Sequence, residues 1–108
     1  MQLTSAEFRQ QDQQHYLISG SVVFSTVPDL LDSAMAYLSE RKNSSAETVV
    51  IDMSGVTECN SAALALMLEI KKQAEEKNTE LCFAQLPESL MTIAKACGVD
   101  KEIREISE

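Results

Sequence analysis

The chain has 108 residues, 44% of them hydrophobic, and its nine basic and seventeen acidic residues give a formal net charge of −8. This length and composition suffice for one ordinary hydrophobic core, so we expect a single domain spanning residues 1–108. Because Lys and Arg do not cluster, the charge argues against nucleic acid as a partner and against direct adsorption to an anionic membrane.

The first fourteen residues are polar and contain no long apolar run. We therefore expect neither a signal peptide nor a membrane-spanning segment, and a cytoplasmic location. Cys59, Cys82 and Cys97 are odd in number, lack CxxC spacing and lie in apolar stretches, which predicts buried free thiols. His15 is the only histidine, so we predict no metal site. We also expect no cofactor.

The N-terminal third of the sequence predicts strands followed by a helix. Short strands around Phe8 and over residues 15–18 are joined by a polar stretch and suggest a hairpin, with a further extended piece at 22–24. An amphipathic helix should follow, with Thr26 as its candidate N-cap, Pro28 in its first turn and Asp29 three residues after the cap. Its apolar positions recur at helical spacing: Val27, Leu30, Leu31, Ala34 and Leu38.

The remaining chain alternates strands and helices. The β-branched run at 48–52 predicts an interior strand covered on both faces, and residues 61 to about 77 predict a second helix. A short strand should follow around Leu81 and Phe83, then a third helix opened by Pro87 and stopped at Gly98. The tail with Ile106 predicts either a short strand or a last helical turn. This order predicts an α/β fold, with a mixed, partly parallel sheet and helices packed largely on one face.

Residues 49–68 read VVIDMSGVTECNSAALALML. This segment resembles the hallmark of the STAS family, in which a strand ending in Asp and a Ser-x-Val turn precede Asp-Ser/Thr-x-Gly-Leu at the start of a helix. Asn60 replaces the usual acidic residue, and Ala63 replaces the usual glycine. The chain is particularly similar to the STAS subunit of bacterial Mla phospholipid-transport complexes, in its length and in Leu-Ala-Leu-x-Leu after the motif. That resemblance implies the STAS fold and an accessory protein that binds the ATPase subunit of an ABC transporter.

Asn60 and Ser61 begin the second helix, where either residue could simply be the cap or could lie at a partner surface. Phosphorylation of Ser61 would add about −1.5 to −2 charges and would repel an acidic partner. Leu64 and Leu68 point to one side of the predicted core face, toward Lys71. They indicate a wide buried face, or isolated exposed leucines, or a partner-facing stripe of Ser61, Leu64, Leu68 and Lys71.

Three functions remain open at this point. The first is a non-enzymatic adapter that binds and regulates or stabilises the ATPase of a phospholipid ABC transporter, peripheral to the inner membrane through that partner. The second is an anti-sigma factor antagonist that binds an anti-sigma factor kinase while Ser61 is unmodified. The third is a small enzyme or ligand-binding domain, but no second polar group is expected to converge on Asp52. We therefore predict no catalytic residues. Asn60 and Ala63, together with the leucine-rich start of the second helix, favour the adapter over the antagonist.

Overall fold

The computed structural model describes residues 5–40 and 48–108. The elements follow in the order β1 (Ala6–Gln10), β2 (His15–Val22), α1 (Val27–Glu40), β3 (Val49–Cys59), α2 (Ser61–Glu76), β4 (Leu81–Ala84), α3 (Glu88–Ala96) and α4 (Asp100–Glu105). The polar stretch at 41–47 between the first long helix and the central strand lies outside the described residues.

The four strands form one mixed sheet in the order β1-β2-β3-β4. The hairpin of β1 and β2 is antiparallel, as the sequence predicts, whereas β2 pairs with β3 and β3 with β4 in parallel. Each parallel connection runs through one helix, α1 or α2, because parallel neighbours need a crossover. The α/β fold with a mixed, partly parallel sheet is thus confirmed.

The hydrophobic core lies between one face of the sheet and the helices. Burial alternates along the strands, so that Ile18, Ile51 and Phe83 are fully buried, while Leu17 and Val50 on the opposite face are half-exposed. The prediction that the strand at 48–52 lies in the interior of the sheet is correct. The prediction that both of its faces are covered is wrong. β-branched residues suit a pleated strand whether one face or both are covered, so composition did not distinguish the two cases.

Two local expectations near α1 need correction. The extended piece predicted at 22–24 is not a separate strand, because β2 runs on to Val22 and residues 23–26 form a turn. Thr26 lies immediately before α1, but its hydroxyl bonds to that turn: it donates to the carbonyl oxygen of Ser21 at 2.7 Å and accepts from the amide of Val23 at 3.0 Å. Thr26 therefore closes the turn that leads into the helix.

The C-terminal tail satisfies both alternatives predicted for it. Residues 100–105 form α4, and Ser107 then pairs with Phe83 as an isolated parallel bridge. The amide of Phe83 donates to the carbonyl oxygen of Ile106 at 2.9 Å, and the amide of Glu108 donates to the carbonyl oxygen of Phe83 at 2.8 Å. The tail thus covers the outer edge of β4. Within residues 5–40 and 48–108, no helix is long and apolar enough to cross a membrane.

Candidate functional site

The start of α2 is a well-defined N-terminal cap. Asn60 has an extended backbone, and its side-chain oxygen accepts a hydrogen bond from the amide of Ala62 at 2.9 Å. Its own amide donates to the carbonyl oxygen of Val22 at 3.3 Å, which joins the end of β2 to the start of α2. The capping role considered for Asn60 is therefore present, and the cap holds Ser61 in the first turn of the helix.

Ser61 begins a line of exposed side chains along α2. The helical repeat of about 3.6 residues places every third or fourth residue on the same side. We call this line the α2 surface and define it as Ser61, Ala65, Leu68 and Lys72, all of which are exposed. Leu68 retains 38% of its accessible area and is one of two large hydrophobic residues that the described chain exposes.

Two residues expected beside Ser61 and Leu68 lie elsewhere. Leu64 is only 4% exposed and belongs to the hydrophobic core. The Lys71 ammonium group donates a hydrogen bond to the carbonyl oxygen of Leu81 at 2.8 Å, so it ties α2 to β4. The burial of Leu64 matches the wide buried face that the sequence left open, since α2 packs against both α1 and α3.

Phe24 was missed by the sequence analysis and is the other exposed large hydrophobic residue, with 70% of its area accessible. It lies in the turn closed by Thr26, two residues after Val22, whose carbonyl meets the α2 cap. The available signal was a large aromatic residue placed directly before a Ser-Thr pair, where a turn leads into a helix. Phe24 is therefore two residues along the chain from the strand end that bonds to the α2 cap.

The segment before α2 contains a β-bulge. Leu17 pairs with Asp52 and Ser19 with Gly55, so a single residue of β2 lies opposite two residues of β3. Asp52 is therefore inside β3 and not at its end, contrary to the sequence-based expectation. Its carboxylate accepts a hydrogen bond from the amide of Ser54 at 2.7 Å, a local bond that supports the bulge.

A family model described as the STAS domain matches residues 6–108. The chain belongs to the STAS family. No curated protein sequence matches this STAS domain closely enough to count as a relative.

Solved structures show the same fold at low sequence identity. The anti-sigma factor antagonist SpoIIAA in its unphosphorylated form has a TM-score of 0.68 at 8% identity, covering 96% of this STAS domain and 86% of that chain. A STAS protein from Planctomyces limnophilus has a TM-score of 0.64 at 14% identity, with coverage of 90% and 85%. SLC26A9 has a TM-score of 0.63 at 13% identity, covering 86% of this chain and 17% of that one.

The STAS motif departs from the family pattern at two positions whose surroundings are now clear. Asn60 caps the helix through its amide oxygen, so the local structure does not need the usual carboxylate. Ala63 is fully buried, which means that its methyl group fits the core where the usual glycine has none. Both departures are therefore compatible with the fold. STAS domains are typically non-enzymatic interaction modules.

The cysteines of this STAS domain are less buried than expected. All three are free thiols, but Cys59 and Cys82 are only half-buried and Cys97 is exposed. Partial burial raises the pKa of the Cys82 thiol, as does the nearby carboxylate of Glu108. The sulfur of Cys59 lies 3.6 Å from the hydroxyl of Ser89, which brings the start of α3 close to the start of α2. The described residues contain no cluster of His, Cys, Asp or Glu suited to a metal ion.

Proposed function

We propose that this STAS domain is a non-enzymatic adapter that binds, and regulates or stabilises, the ATPase subunit of a phospholipid ABC transporter of the Mla type. In this proposal the protein is cytoplasmic and is held at the inner membrane only through its partner. The α2 surface makes the contact. The observation that carries the proposal is the exposure of Leu68 in line with Ser61 on the helix of the STAS motif.

The arrangement of the α2 surface suits a protein partner. Stable interfaces combine an apolar centre with a polar rim, and Leu68 and Ala65 are flanked along the helix by Ser61 and Lys72. Asn60 holds the first turn in place without a charge of its own. Lys71 and Leu64, which the sequence grouped with this surface, support it from within by fixing α2 to the rest of the domain.

Phe24 supplies a second exposed apolar side chain, in the turn that follows β2. Its turn is fixed by the Thr26 hydroxyl, which is bonded to Ser21 and Val23. An exposed aromatic side chain on an ordered turn loses little conformational entropy when it enters a partner's pocket, and such residues often dominate binding energy. We therefore include Phe24 with Leu68 as an apolar anchor for the ATPase.

Ser61 is the residue through which the contact would be regulated. It is exposed in the first turn of α2, and none of the residues of that turn is acidic. A phosphate there would be favoured by the N-terminal amides of its own helix. On the partner's side it would place about two negative charges against the interface, so phosphorylation would release the ATPase.

The surroundings of Asp52, the acidic residue of the motif, support an adapter and not an enzyme. The Asp52 carboxylate is engaged with the backbone of Ser54 inside a bulge of β3. General acid or base catalysis requires a second group positioned with it, and the geometry supports only a structural role. We expect the isolated domain to hydrolyse no nucleotide, and hydrolysis abolished by Asp52→Asn would refute this.

Co-purification with the transporter ATPase tests the docking surface. Replacing Leu68 with Asp should weaken the complex by at least ~2 kcal/mol, which is about 30-fold, because a charge would be buried unpaired at the interface centre. Ala36→Asp is the matched control, since Ala36 is also exposed on a helix but belongs to α1 and not to the α2 surface. It should leave the complex intact.

Two further outcomes decide the proposal. Ser61→Glu should weaken the same complex, although one carboxylate imitates a phosphate only in part. A Leu68→Asp variant that still binds the ATPase as tightly as the native protein would refute this docking surface. Capture of an anti-sigma factor kinase in place of the ATPase would instead assign the protein to the partner-switching alternative.

A further inference from the structure

β1 carries an open edge of the sheet. It pairs with β2 on one side, and within the described residues no strand pairs with its other side. The amide of Ser21 donates to the carbonyl oxygen of Ser5 at 2.8 Å, and antiparallel bonds alternate along a ladder. Every second residue of β1 therefore points its backbone groups away from β2, and these residues are Ala6, Phe8 and Gln10.

We propose that two copies of this chain associate through β1, paired antiparallel about a twofold axis centred on Phe8, so that the two four-stranded sheets become continuous. In this register Phe8 faces Phe8 of the second copy, and Ala6 faces its Gln10. All of these residues have backbone N–H and C=O groups directed outward, so they form the hydrogen-bonded pairs of the new ladder.

Charge complementarity selects a second copy as the occupant of this edge. Glu7 and Arg9 are symmetrically placed about Phe8, and their side chains are 56% and 62% exposed and pair with each other at 2.9 Å. In the proposed register, Glu7 lies opposite Arg9 of the second copy and Arg9 lies opposite its Glu7. These are the closely spaced, non-hydrogen-bonded pairs of an antiparallel ladder, in which opposite charges are favourable.

Neighbouring symmetric registers are disfavoured by the same two criteria. Pairing centred on Glu7 would place that carboxylate against its own copy, and pairing centred on Arg9 would oppose two guanidinium groups. Both registers would also require backbone groups that already bond to β2. A register centred on Phe8 therefore satisfies the backbone and the side chains together.

The side chain at the centre of the proposed interface is only half-buried in the single chain. Phe8 stacks on Tyr16, with ring centroids 5.5 Å apart, and lies 5.5 Å from the ring of Tyr37. Pairing would place the two Phe8 residues side by side and would cover their remaining exposed surface. Because one short strand from each copy buries little area, we expect a reversible dimer with a dissociation constant between about 10 µM and about 1 mM.

Sedimentation equilibrium of the full chain over about 10 µM to about 1 mM tests the pairing. The native protein should show a monomer–dimer equilibrium. Glu7→Arg and Arg9→Glu should each weaken it at least tenfold, because each variant opposes like charges in the proposed register. An equimolar mixture of the two variants should dimerise again, since one strand then carries two arginines and the other two glutamates.

Ala6→Pro provides a test of the backbone. It removes an outward amide without touching the bonds to β2, so it should weaken the dimer while circular dichroism shows an intact domain. A native protein that remains monomeric at about 1 mM would refute the proposal. Single-charge variants that dimerise as well as the native chain, or a variant mixture that stays monomeric, would also refute it.

Discussion

A Cβ atom added to Gly55 would lie 2.8 Å from the Cβ of Ser19 on the neighbouring strand. The close approach arises because the bulge in β3 brings its backbone toward β2 at this point. Gly55, at the variable position of the Ser-x-Val turn, is therefore a packing requirement of the bulge in this chain.

Gly55→Ala should destabilise the domain by about 1–3 kcal/mol, the usual range for forcing an extra methyl group into a packed site. Urea denaturation followed by circular dichroism measures the change. Ser19→Gly removes the opposing Cβ atom and should recover part of the loss. The double variant should therefore lose less unfolding free energy than the two single variants lose in sum. Full additivity would show that the contact with Ser19 is not the cause.

Leu64 and Leu68 lie one turn apart and should respond oppositely to the same substitution. Leu64→Asp places a charge in the core and should cost several kcal/mol, enough to unfold a marginally stable domain. Leu68→Asp should change stability by no more than about 0.5 kcal/mol because the side chain is exposed. Thermal melting of both variants, with Met67→Asp as the buried control, checks this. Equal destabilisation by Leu68→Asp would place Leu68 in the core.

Thr26 should be replaceable by Ser but not by Val. Thr26→Val keeps the shape but removes the hydroxyl bonded to Ser21 and Val23, and leaving these partly buried groups unpaired should cost about 1–3 kcal/mol. Thr26→Ser retains the hydroxyl and should lose much less. Chemical denaturation of the pair measures the difference, and equal stability of the two variants would contradict the role assigned to the hydroxyl.

Asp12 should contribute to the acid sensitivity of the hairpin. Bonding of its carboxylate to the amide of Gln14, and to the ring of His15 at 2.9 Å, lowers its pKa. A carboxyl group whose pKa is lower in the folded state stabilises the protein at pH values above its pKa in the unfolded state. That contribution disappears as the pH falls through its pKa in the folded state. Unfolding free energies measured from about pH 6 to about pH 2 should therefore fall less steeply for Asp12→Asn than for the native chain. Identical slopes would contradict this.

Much of the fold was readable from the sequence because its signals are local. The helical spacing of Leu30, Ala34 and Leu38 gave α1, and the polar break before His15 gave the hairpin. The motif around Asn60 gave the start of α2 and the STAS fold. The Asn60 cap could be predicted because a helix terminus leaves amides unpaired wherever the helix lies in the fold.

The composition of the candidate site was less predictable. Helical geometry alone grouped Leu64 and Lys71 with Leu68, yet neighbouring elements bury Leu64 and bond Lys71 to β4. The exposure of Phe24 could not be predicted, because a single aromatic residue in a turn belongs to no periodic pattern. Its exposure depends on whether another element covers the turn.

Spacing, capping and motif residues that lie close together in the chain were enough to predict the hairpin, α1, the start of α2 and the family that the chain resembles. Three features needed the folded chain: the side of α2 that remains exposed, the bulge of β3 against Ser19, and the outer side of β1, with which no strand of residues 5–40 and 48–108 pairs. Those features depend on which distant segments pack together, because burial removes a side chain from the surface only where another element covers it.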